Sequence, residues 1–357
     1  MIDNYNIFTT QEHDKWNSYL EKLPFSKQDI YFTPEYYKIY ENYGDGEGLC
    51  FVYQQGENIA LYPFLKNNIN QLGYQLEAQY YDIQGTYGYN GILTSSQDKD
   101  FREDFFKLFK SYCKEGRIIA EFTRFHPLLG NHQFSEDYMK IVYDRKTVSL
   151  DIPESIEDIW DNSYSSNNRN MIRKARKRNV EIIETAKEED YQTFYNIYVE
   201  TMDNVGSESH LYFNQDYFSD FFKLLPSNHQ LILAKYNDEI IVGMILMMYK
   251  DYAHYHLSAR KSEFGSFALN NLFLDYAIQI AHSNNCKQFH FGGGTANEEK
   301  DSLLKFKSNF SKTKSDFYVG KKIHNEKIYN EVMEQWKEMY PDSCVRNKNK
   351  LLGYREI

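Results

Sequence analysis

The order of strand-like and helix-like segments in the second half of the chain constrains the fold most. A basic helical segment, NNRNMIRKARKRN, precedes a strand (VEIIET) and an amphipathic helix (EEDYQTFYNIYVETM). Two strands then form a hairpin (LILAKY and IIVGMILMMYK), and a third strand (YAHYHLSA), a long helix (LNNLFLDYAIQIAHSNN) and the strand KQFHFGG follow. Apolar residues recur at helical spacing in the helices, and the strands are rich in β-branched and aromatic residues. This order predicts an α/β domain with a mixed sheet.

The first half of the chain has a compatible but less regular order. A helix (TPEYYKIYENYG) ends at Gly44, a hairpin (LCFVYQ and IALYPFL) follows, and a helix (FREDFFKLFKSYCKEG) leads into the strand RIIAEFTRF. Pro153 breaks the next strand before a new helix begins, and we place a domain junction there. A chain of 357 residues suits two domains. We therefore predict two lobes, residues 1–150 and 151–357, with a cleft between them.

Composition and charge exclude several classes of protein. With 41% hydrophobic and 26% charged residues, the chain has enough apolar side chains to form a packed core. Its net charge of −10 argues against a DNA-binding protein. Four cysteines without CxxC spacing suggest neither a zinc site nor a disulfide framework, and they suit a reducing cytoplasm. We find no signal peptide pattern and no run of about 20 apolar residues. We therefore expect a cytoplasmic protein with no bound metal and no integral membrane segment.

Three successive glycines follow the last strand of the series. Gly292, Gly293 and Gly294, here called the glycine turn, allow backbone N–H groups to approach a ligand closely. The segment KFK comes shortly after it and places Lys305 and Lys307 on either side of an aromatic residue, where ammonium groups suit a phosphorylated donor. A simple turn with solvated lysines is the alternative.

The basic helical segment offers a second candidate site. Helical spacing places Arg169, Arg173 and Lys177 on one face, which suits a pyrophosphate, a nucleotide or an RNA backbone. A solvated helix that pairs with the acidic segment after it explains the same charges.

The segment YHLSAR contains a candidate base. His256 lies in the third strand, and the ordinary pKa of histidine is close to neutral pH. A histidine with a purely structural role is the competing interpretation.

Two glycine- and tyrosine-containing loops in the first half carry further polar residues. Asp82, Tyr87 and Tyr89 lie in YYDIQGTYGYNG, and Arg124 and His126 lie in EFTRFHPLLGN. Such loops commonly display binding groups, although turn formation alone explains the glycines. The chain has no nucleophile elbow, P-loop, HExxH or GxGxxG motif, which argues against hydrolases, NTPases, zinc peptidases and dehydrogenases.

Six motifs in one order resemble the FemABX-like branch of the GNAT acyltransferase superfamily. They are YGYNG, RFHPLL, NNRNMIRKARKRNVEI, YHLSAR, LNNLFLDYAI and FHFGGGTANEEKDSLLKFKSNF, and they cover about residues 30 to 325. The resemblance implies a tandem GNAT fold and an acyltransferase without a tightly bound cofactor. The co-substrate it implies is aminoacyl-tRNA or acyl-CoA.

The resemblance also implies roles for individual residues. It assigns donor binding to Gly292, Gly293, Gly294, Phe306 and Lys307, and Lys305 is a further donor-binding candidate because it lies beside Phe306. It assigns acceptor binding to Tyr87, Tyr89, Arg124 and His126. Tyr255 and Arg260 are further acceptor-binding candidates because they lie at the end of the third strand. Asp82 and His256 are the candidate bases. Wall-building members often carry an arginine shortly after the position of Thr201 and Met202, where this chain has Asp203 and Asn204.

Three functions remain open at this stage. The first is transfer of an aminoacyl or acyl group, with tRNA as one candidate carrier, to an amine of a peptidoglycan-type or other cell-envelope precursor. That acceptor is a small molecule or a lipid-linked saccharide. A lipid-linked acceptor implies contact of the protein with a membrane surface. The second is acyl-CoA-dependent N-acetylation of an amino sugar or nucleotide sugar, and the third is binding of a glycan precursor without catalysis.

Overall fold

A computed structural model describes residues 5–185, 187–206, 211–295 and 301–357. The first part of the chain contains, in order, β1 (Tyr5–Thr9), α1 (His13–Leu20), α2 (Pro34–Tyr43), β2 (Glu47–Gln55), β3 (Asn58–Asn68), β4 (Tyr81–Gln84), β5 (Leu93–Thr94), α3 (Lys99–Glu115), β6 (Ile118–Arg124) and β7 (Lys140–Asp151).

The second part begins with a short helix that runs into a π-helical turn (Ile159–Ser163). Its elements are α4 (Ile156–Asp158), α5 (Ser166–Arg176), β8 (Glu181–Thr185), α6 (Glu188–Val205), α7 (Gln215–Leu224), β9 (His229–Tyr236), β10 (Glu239–Tyr249), β11 (Tyr252–Arg260), α8 (Leu269–Ser283), β12 (Gln288–Gly293), α9 (Ser302–Lys307), β13 (Lys314–Ile323), α10 (Glu326–Met339) and α11 (Pro341–Asn347).

The chain divides into two compact units. Unit 1 comprises Met1–Lys27, Tyr31–Asp144 and Phe317–Ile357. Unit 2 comprises Gln28–Ile30 and Arg145–Asp316. Apart from the short segment Gln28–Ile30, the unit boundaries lie inside β7 and inside β13.

The sheets of the two units have the same strand order. In unit 1 the order is β1-β2-β3-β4-β6-β13, and in unit 2 it is β8-β9-β10-β11-β12-β7. In each sheet one neighbouring pair is parallel, β4 with β6 and β11 with β12, and the remaining pairs are antiparallel. A helix, α3 or α8, lies between the two parallel strands in the sequence, as a parallel connection requires. The predicted α/β class with a tandem element order is confirmed.

The last strand of each sheet comes from a distant part of the sequence. Residues 147–151 of β7 pair with β12 in unit 2, and residues 319–323 of β13 pair with β6 in unit 1. The final helices follow β13 into unit 1, where Ile328 and Trp336 of α10 pack in one cluster with Ile119 of β6. Residues 317–357 therefore belong to unit 1, which differs from the predicted lobe of residues 151–357.

Local signals explain where several elements begin and end. Thr33 accepts a hydrogen bond from the backbone N–H of Tyr36 at the start of α2, and Gly44 ends the helix with φ +101°. Asp98 and Ser165 cap α3 and α5 in the same way. None of the helices in the described part of the chain combines the length and apolarity that a membrane crossing requires.

Candidate functional site

The glycine turn lies at the end of β12 in unit 2, and side chains approach its backbone closely. Gly292 has φ +76°, a backbone conformation that favours glycine. A Cβ atom on Gly294 would lie 2.5 Å from the carboxylate of Asp301, and one on Gly293 would lie 3.1 Å from Cδ of Arg145. Glycine at these positions therefore makes room for charged side chains.

Lys307, the last residue of α9, contacts this turn. Its Nζ donates a hydrogen bond of 2.7 Å to the carbonyl oxygen of Gly293, and only 6% of the residue is exposed. Burial lowers the pKa of Lys307 to about 7, while the carboxylate of Asp301 acts in the opposite direction and Arg145 adds to the lowering. Lys307 is therefore an amine that changes its charge near neutral pH.

Arg145 and Asp301 hold the residues after the turn. Nη1 of Arg145 donates to the carbonyl oxygens of Gly294 and Thr295, each at 2.9 Å. The carboxylate of Asp301 accepts from the backbone N–H and the hydroxyl of Thr295, each at 2.7 Å, and it also caps α9. The sequence analysis missed both residues. The carbonyl partners of Arg145 are distant in the sequence, whereas Asp301 had a local signal, because it caps the helix that begins at Ser302.

A buried hydroxyl lies beside the turn on the neighbouring strand. Thr147 of β7 is the register partner of Gly293, and it is 1% exposed. Its Oγ1 has no hydrogen-bond partner in the described part of the chain. Because a buried hydroxyl without a partner is unfavourable, Thr147 is a candidate to bind a ligand.

This arrangement suits the stabilisation of negative charge. An ammonium group has three hydrogens, and among the described residues only Gly293 accepts one from Lys307. The remaining hydrogens and the Thr147 hydroxyl are donors in a poorly hydrated place, where hydrogen bonds to a developing oxyanion are strong.

The other predicted donor residues lie differently. Lys305 is exposed, and Phe306 packs against Phe310 in the core of unit 2 with ring centroids 5.7 Å apart. Nζ of Lys307 lies 5.6 Å from the ring centroid of Tyr255, a predicted acceptor residue. The structure thus brings Lys307, Tyr255 and the glycine turn together but not Lys305.

His256 lies in a buried aromatic environment. Its Nε2 makes a 3.0 Å hydrogen bond with the hydroxyl of Tyr217, and its ring lies 5.2 Å from that of Phe221. Burial lowers the pKa of His256 to about 3, with smaller effects from His254 and His229. His256 is therefore a weak base, and its role in catalysis stays a prediction.

Arg260, the last residue of β11, lies beside a 3-10 helix (Ser262–Phe267) that precedes α8. A Cβ atom on Gly265 would lie 2.9 Å from Nη1 of Arg260. The guanidinium therefore lies close to the backbone just before the first turn of α8.

The basic residues of α5 have different partners. Nη1 of Arg169 donates to the carbonyl oxygens of Trp160, Asp161 and Tyr164, and so fastens the π-helical turn to α5. Arg173 is exposed and stacks on the Trp160 ring at 5.3 Å. Lys177 is also exposed. Phosphate or RNA binding by this face stays a prediction, and Arg169 additionally has a structural role that its sequence context did not reveal.

Asp82, in unit 1, has its own set of partners. Its carboxylate accepts hydrogen bonds of 2.8 Å from the hydroxyl of Tyr354 and from Nη1 of Arg355. Burial raises the pKa of Asp82, and Arg355 and Tyr354 oppose this effect. These contacts tie the end of the chain to β4, and a role as general base stays a prediction.

The remaining predicted acceptor residues lie in and around residues 85–91 of unit 1, here called the tyrosine loop. The ring of Tyr89 packs edge-on against those of His126 and Tyr31, each with centroids 5.3 Å away. Tyr87 lies close enough to Arg124 for their charges to interact. Four predicted residues from two separate segments therefore lie in the same part of unit 1.

A family model matches part of unit 2. Residues 163–301, which include the glycine turn, match a model described as an acetyltransferase (GNAT) domain. This part of the chain is therefore similar to GNAT acetyltransferase domains. A search of curated protein sequences found no match to the chain.

Solved structures show the same fold along most of the chain. FemX aligns with a TM-score of 0.65 at 16% identity and covers 91% of this chain and 98% of its own. The C-terminal domain of a putative lysylphosphatidylglycerol synthetase from Agrobacterium fabrum aligns with a TM-score of 0.54 at 11% identity, covering 90% of this chain and 93% of its own. A tandem GNAT protein from the clavulanic acid biosynthesis pathway aligns with a TM-score of 0.51 at 8% identity, covering 89% and 98%. The FemX-like tandem GNAT fold predicted from the sequence is confirmed.

Proposed function

We propose that this chain transfers an aminoacyl or acyl group from an activated donor to an amine, and that the donor carbonyl binds at the glycine turn. The observation that carries the proposal is the buried amine of Lys307, hydrogen-bonded to Gly293 and with a pKa of about 7. A buried lysine with a strongly lowered pKa is typical of a functional site.

The reaction needs no covalent intermediate on the protein. The nitrogen of the unprotonated acceptor amine attacks the donor carbonyl carbon, and its oxygen becomes an oxyanion that accepts hydrogen bonds from Lys307 and Thr147. Collapse re-forms the C=O bond and breaks the ester C–O or thioester C–S bond. The proton lost by the amine ends on the leaving group. Binding that holds the two reactants in line supplies much of the rate enhancement.

The acceptor we propose is an amine of a cell-envelope precursor, either a small molecule or a lipid-linked saccharide, used in the cytoplasm. FemX and the lysylphosphatidylglycerol synthetase domain share the fold, and the name of the latter describes a lysyl group on a membrane lipid. Aminoacyl-tRNA is then the donor, and two exposed basic residues, Arg173 of α5 and Lys177 directly after it, are available for its phosphates.

An acyl-CoA donor is the second candidate, because Arg260 lies beside Gly265 just before α8. Backbone N–H groups at the start of a helix together with a guanidinium suit a pyrophosphate. The acceptor in this case is an amino sugar or a nucleotide sugar.

Donor consumption by the purified full chain tests the function. The protein is incubated with charged tRNA, or with acetyl-CoA, and a panel of amines that includes amino sugars and peptidoglycan precursors, and mass spectrometry follows the products. We expect an amide product with one of the two donors, and RNase treatment to abolish it if the donor is tRNA. Lys307→Met removes the buried amine, and Lys305→Met, two residues away and exposed, is the matched control.

Two results would contradict the proposal. One is thermal stabilisation by a glycan precursor without any turnover, which would favour a binding protein. The other is equal activity of Lys307→Met and Lys305→Met, which would remove the glycine turn from the reaction.

A further inference from the structure

Arg124 of unit 1 is a partly exposed arginine whose side chain forms no ion pair within the described residues. It ends β6, and its backbone is fixed by Asn90, whose side-chain oxygen accepts from the Arg124 N–H at 2.8 Å and whose own N–H donates to the Arg124 carbonyl at 2.6 Å. The guanidinium lies over the ring of Phe122, 5.2 Å from its centroid. Its nitrogens make no hydrogen bond or ion pair with any residue that the structure describes. Burial lowers the pKa of Arg124, so its charge is poorly hydrated.

Two carboxylates act on the charge of Arg124, Asp45 more strongly and Asp144 less strongly. Asp45 follows the glycine that ends α2, and its carboxylate likewise makes no hydrogen bond or ion pair within the described ranges of the chain. Burial raises the pKa of Asp45, whereas Arg355 and Arg124 lower it, so the two unpaired charges are close enough to interact.

The backbone after Asp45 is held in place. Gly46 has φ +120°, and a Cβ atom there would lie 2.7 Å from Oδ1 of Asn67. The same oxygen accepts a hydrogen bond of 2.9 Å from Nη2 of Arg355. Asp45 is therefore positioned by a packed glycine rather than by contacts of its own side chain.

Asp82 and Arg355, a neighbouring pair of opposite charges, are joined by a direct hydrogen bond. Arg355 donates directly to Asp82, which also accepts from Tyr354. Arg124 and Asp45 lie near this pair and yet do not join each other. Both residues are partly buried, and keeping two such charges apart is less favourable than completing both with a ligand.

We propose that Arg124 and Asp45 bind the two ends of a zwitterion, with a carboxylate on Arg124 and an ammonium on Asp45. An anion alone would meet the repulsion of Asp45, and a cation alone would meet that of Arg124, so only a ligand with both charges satisfies both groups. An arginine fork matches a carboxylate with two parallel hydrogen bonds. Tyr87 and Tyr40 also interact electrostatically with Arg124.

This inference rests on the proposed function only in naming the ligand's role: the zwitterion is the acceptor, or the amino-acid-like end of it. Its ammonium loses one proton to the solvent before the nitrogen attacks the donor carbonyl. The site thus assigns the acceptor to compounds with a free amine and a free carboxylate, such as an amino acid or a peptide end, and not to neutral amino sugars.

Ligand-observed NMR titration of the full chain tests the site without any donor. Glycine, β-alanine, γ-aminobutyrate and diglycine carry the same two charged ends at increasing separation, and each is compared with its methyl ester and its N-acetyl derivative. We expect one separation to bind best and each blocked form to bind about tenfold more weakly or worse.

The variants separate the two ends. Arg124→Gln should bind the free acid and its methyl ester equally but still prefer the free amine over the N-acetyl derivative. Asp45→Asn should bind the free amine and the N-acetyl derivative equally but still prefer the free acid over the ester. Arg124→Lys keeps the charge without the fork, so it should retain the acid preference with a lower affinity. The matched controls are Arg102→Gln and Asp137→Asn, which alter an exposed ion pair of 2.7 Å in the same unit and should bind like the wild type.

Three outcomes would overturn the inference. They are no binding of any free zwitterion, equal binding of blocked and free forms, and unchanged preferences in both variants while circular dichroism shows them folded. Because no donor is present, a failed transfer assay with intact zwitterion binding would contradict only the proposed function. A working transfer assay without zwitterion binding would contradict only this site.

Discussion

The tyrosine loop of unit 1 and the glycine turn of unit 2 are both glycine-rich, but different kinds of groups surround their glycines. In the tyrosine loop, a Cβ atom on Gly88 would lie 2.3 Å from the ring of Tyr31, and one on Gly85 would lie 2.4 Å from the side-chain amide of Asn90. In the glycine turn the nearest side chains are Lys307, Arg145 and Asp301, all charged.

This difference separates a packing role from a chemical one. Neutral groups against glycine keep a loop in one conformation at little electrostatic cost. Three charged side chains around a turn, one of them a buried lysine, require desolvation that packing alone does not explain. The predictions below test this difference, from the largest expected effect to the smallest.

Lys307→Met should have the largest effect, on activity. Methionine fills nearly the same space but donates no hydrogen bond, so the oxyanion loses a donor. We expect kcat to fall about 10²- to 10³-fold, the usual effect of removing one such donor. Steady-state kinetics with the donor that supports turnover measures it, and Lys305→Met should stay close to the wild type. A fall in stability that accounts for the whole loss of activity would contradict the chemical role.

Gly88→Ala should act on stability. The residue has φ +101° and faces the ring of Tyr31, so alanine adds both backbone strain and a clash. We expect the free energy of unfolding to fall by about 2 to 3 kcal/mol in denaturant titrations. Gly56→Ala, at φ +59° with nothing within 4 Å of its Cβ position, isolates the strain and should have a smaller effect. Equal effects of the two substitutions would show that the packing against Tyr31 is unimportant.

The stability of the wild type should rise with pH because of Lys307. Its folded pKa of about 7 lies below the ordinary value of about 10.4, so between these values the unfolded chain binds more protons than the folded chain. The free energy of unfolding should therefore increase across this window, by at most about 1.4 kcal/mol per pH unit from this group. Below about pH 7 the contribution is constant. Denaturant titrations at several pH values give the free energy of unfolding as a function of pH. This free energy should rise less steeply with pH in Lys307→Met than in the wild type, and Lys305→Met should behave like the wild type.

Thr147→Val should have the smallest effect. Valine has nearly the same shape and removes a buried hydroxyl that has no partner in the described part of the chain, so stability should stay the same or rise slightly. If the hydroxyl binds the donor carbonyl, kcat should fall by a factor equivalent to about 1 kcal/mol. Unchanged kinetics would confine the oxyanion site to Lys307 and the backbone.

The sequence predicted the elements well because their signals are local. The helix ending at Gly44 is capped by Thr33 and by the glycine itself, and both signals lie within the segment they bound. The glycine turn was also predicted, because three glycines after a strand are visible without a fold. The assignment of residues 317–357 was not, because β13 pairs with β6, almost two hundred residues earlier in the chain.

The chemistry of the site was less visible for the same reason. Lys305 and Lys307 look alike in the sequence, and only the packing of α9 shows that Lys307 is buried and Lys305 exposed. Arg145 and Asp45 belong to no sequence motif. Arg145 binds the carbonyl oxygens of Gly294 and Thr295, which are distant in the sequence, and the Asp45 carboxylate makes no hydrogen bond within the described residues. Arg169 looks like its basic neighbours, yet three carbonyl oxygens of the preceding turn occupy its guanidinium.

The most direct test of the account is the titration of Lys307 itself. In protein labelled with ¹³C at the lysine ε-carbon, NMR should show one resonance that titrates near pH 7, disappears in Lys307→Met and shifts when the donor that supports turnover is added. If every lysine titrates near its ordinary pKa, or if the chemical shift of the Lys307 resonance does not change when the donor is added, the donor carbonyl does not react at the glycine turn.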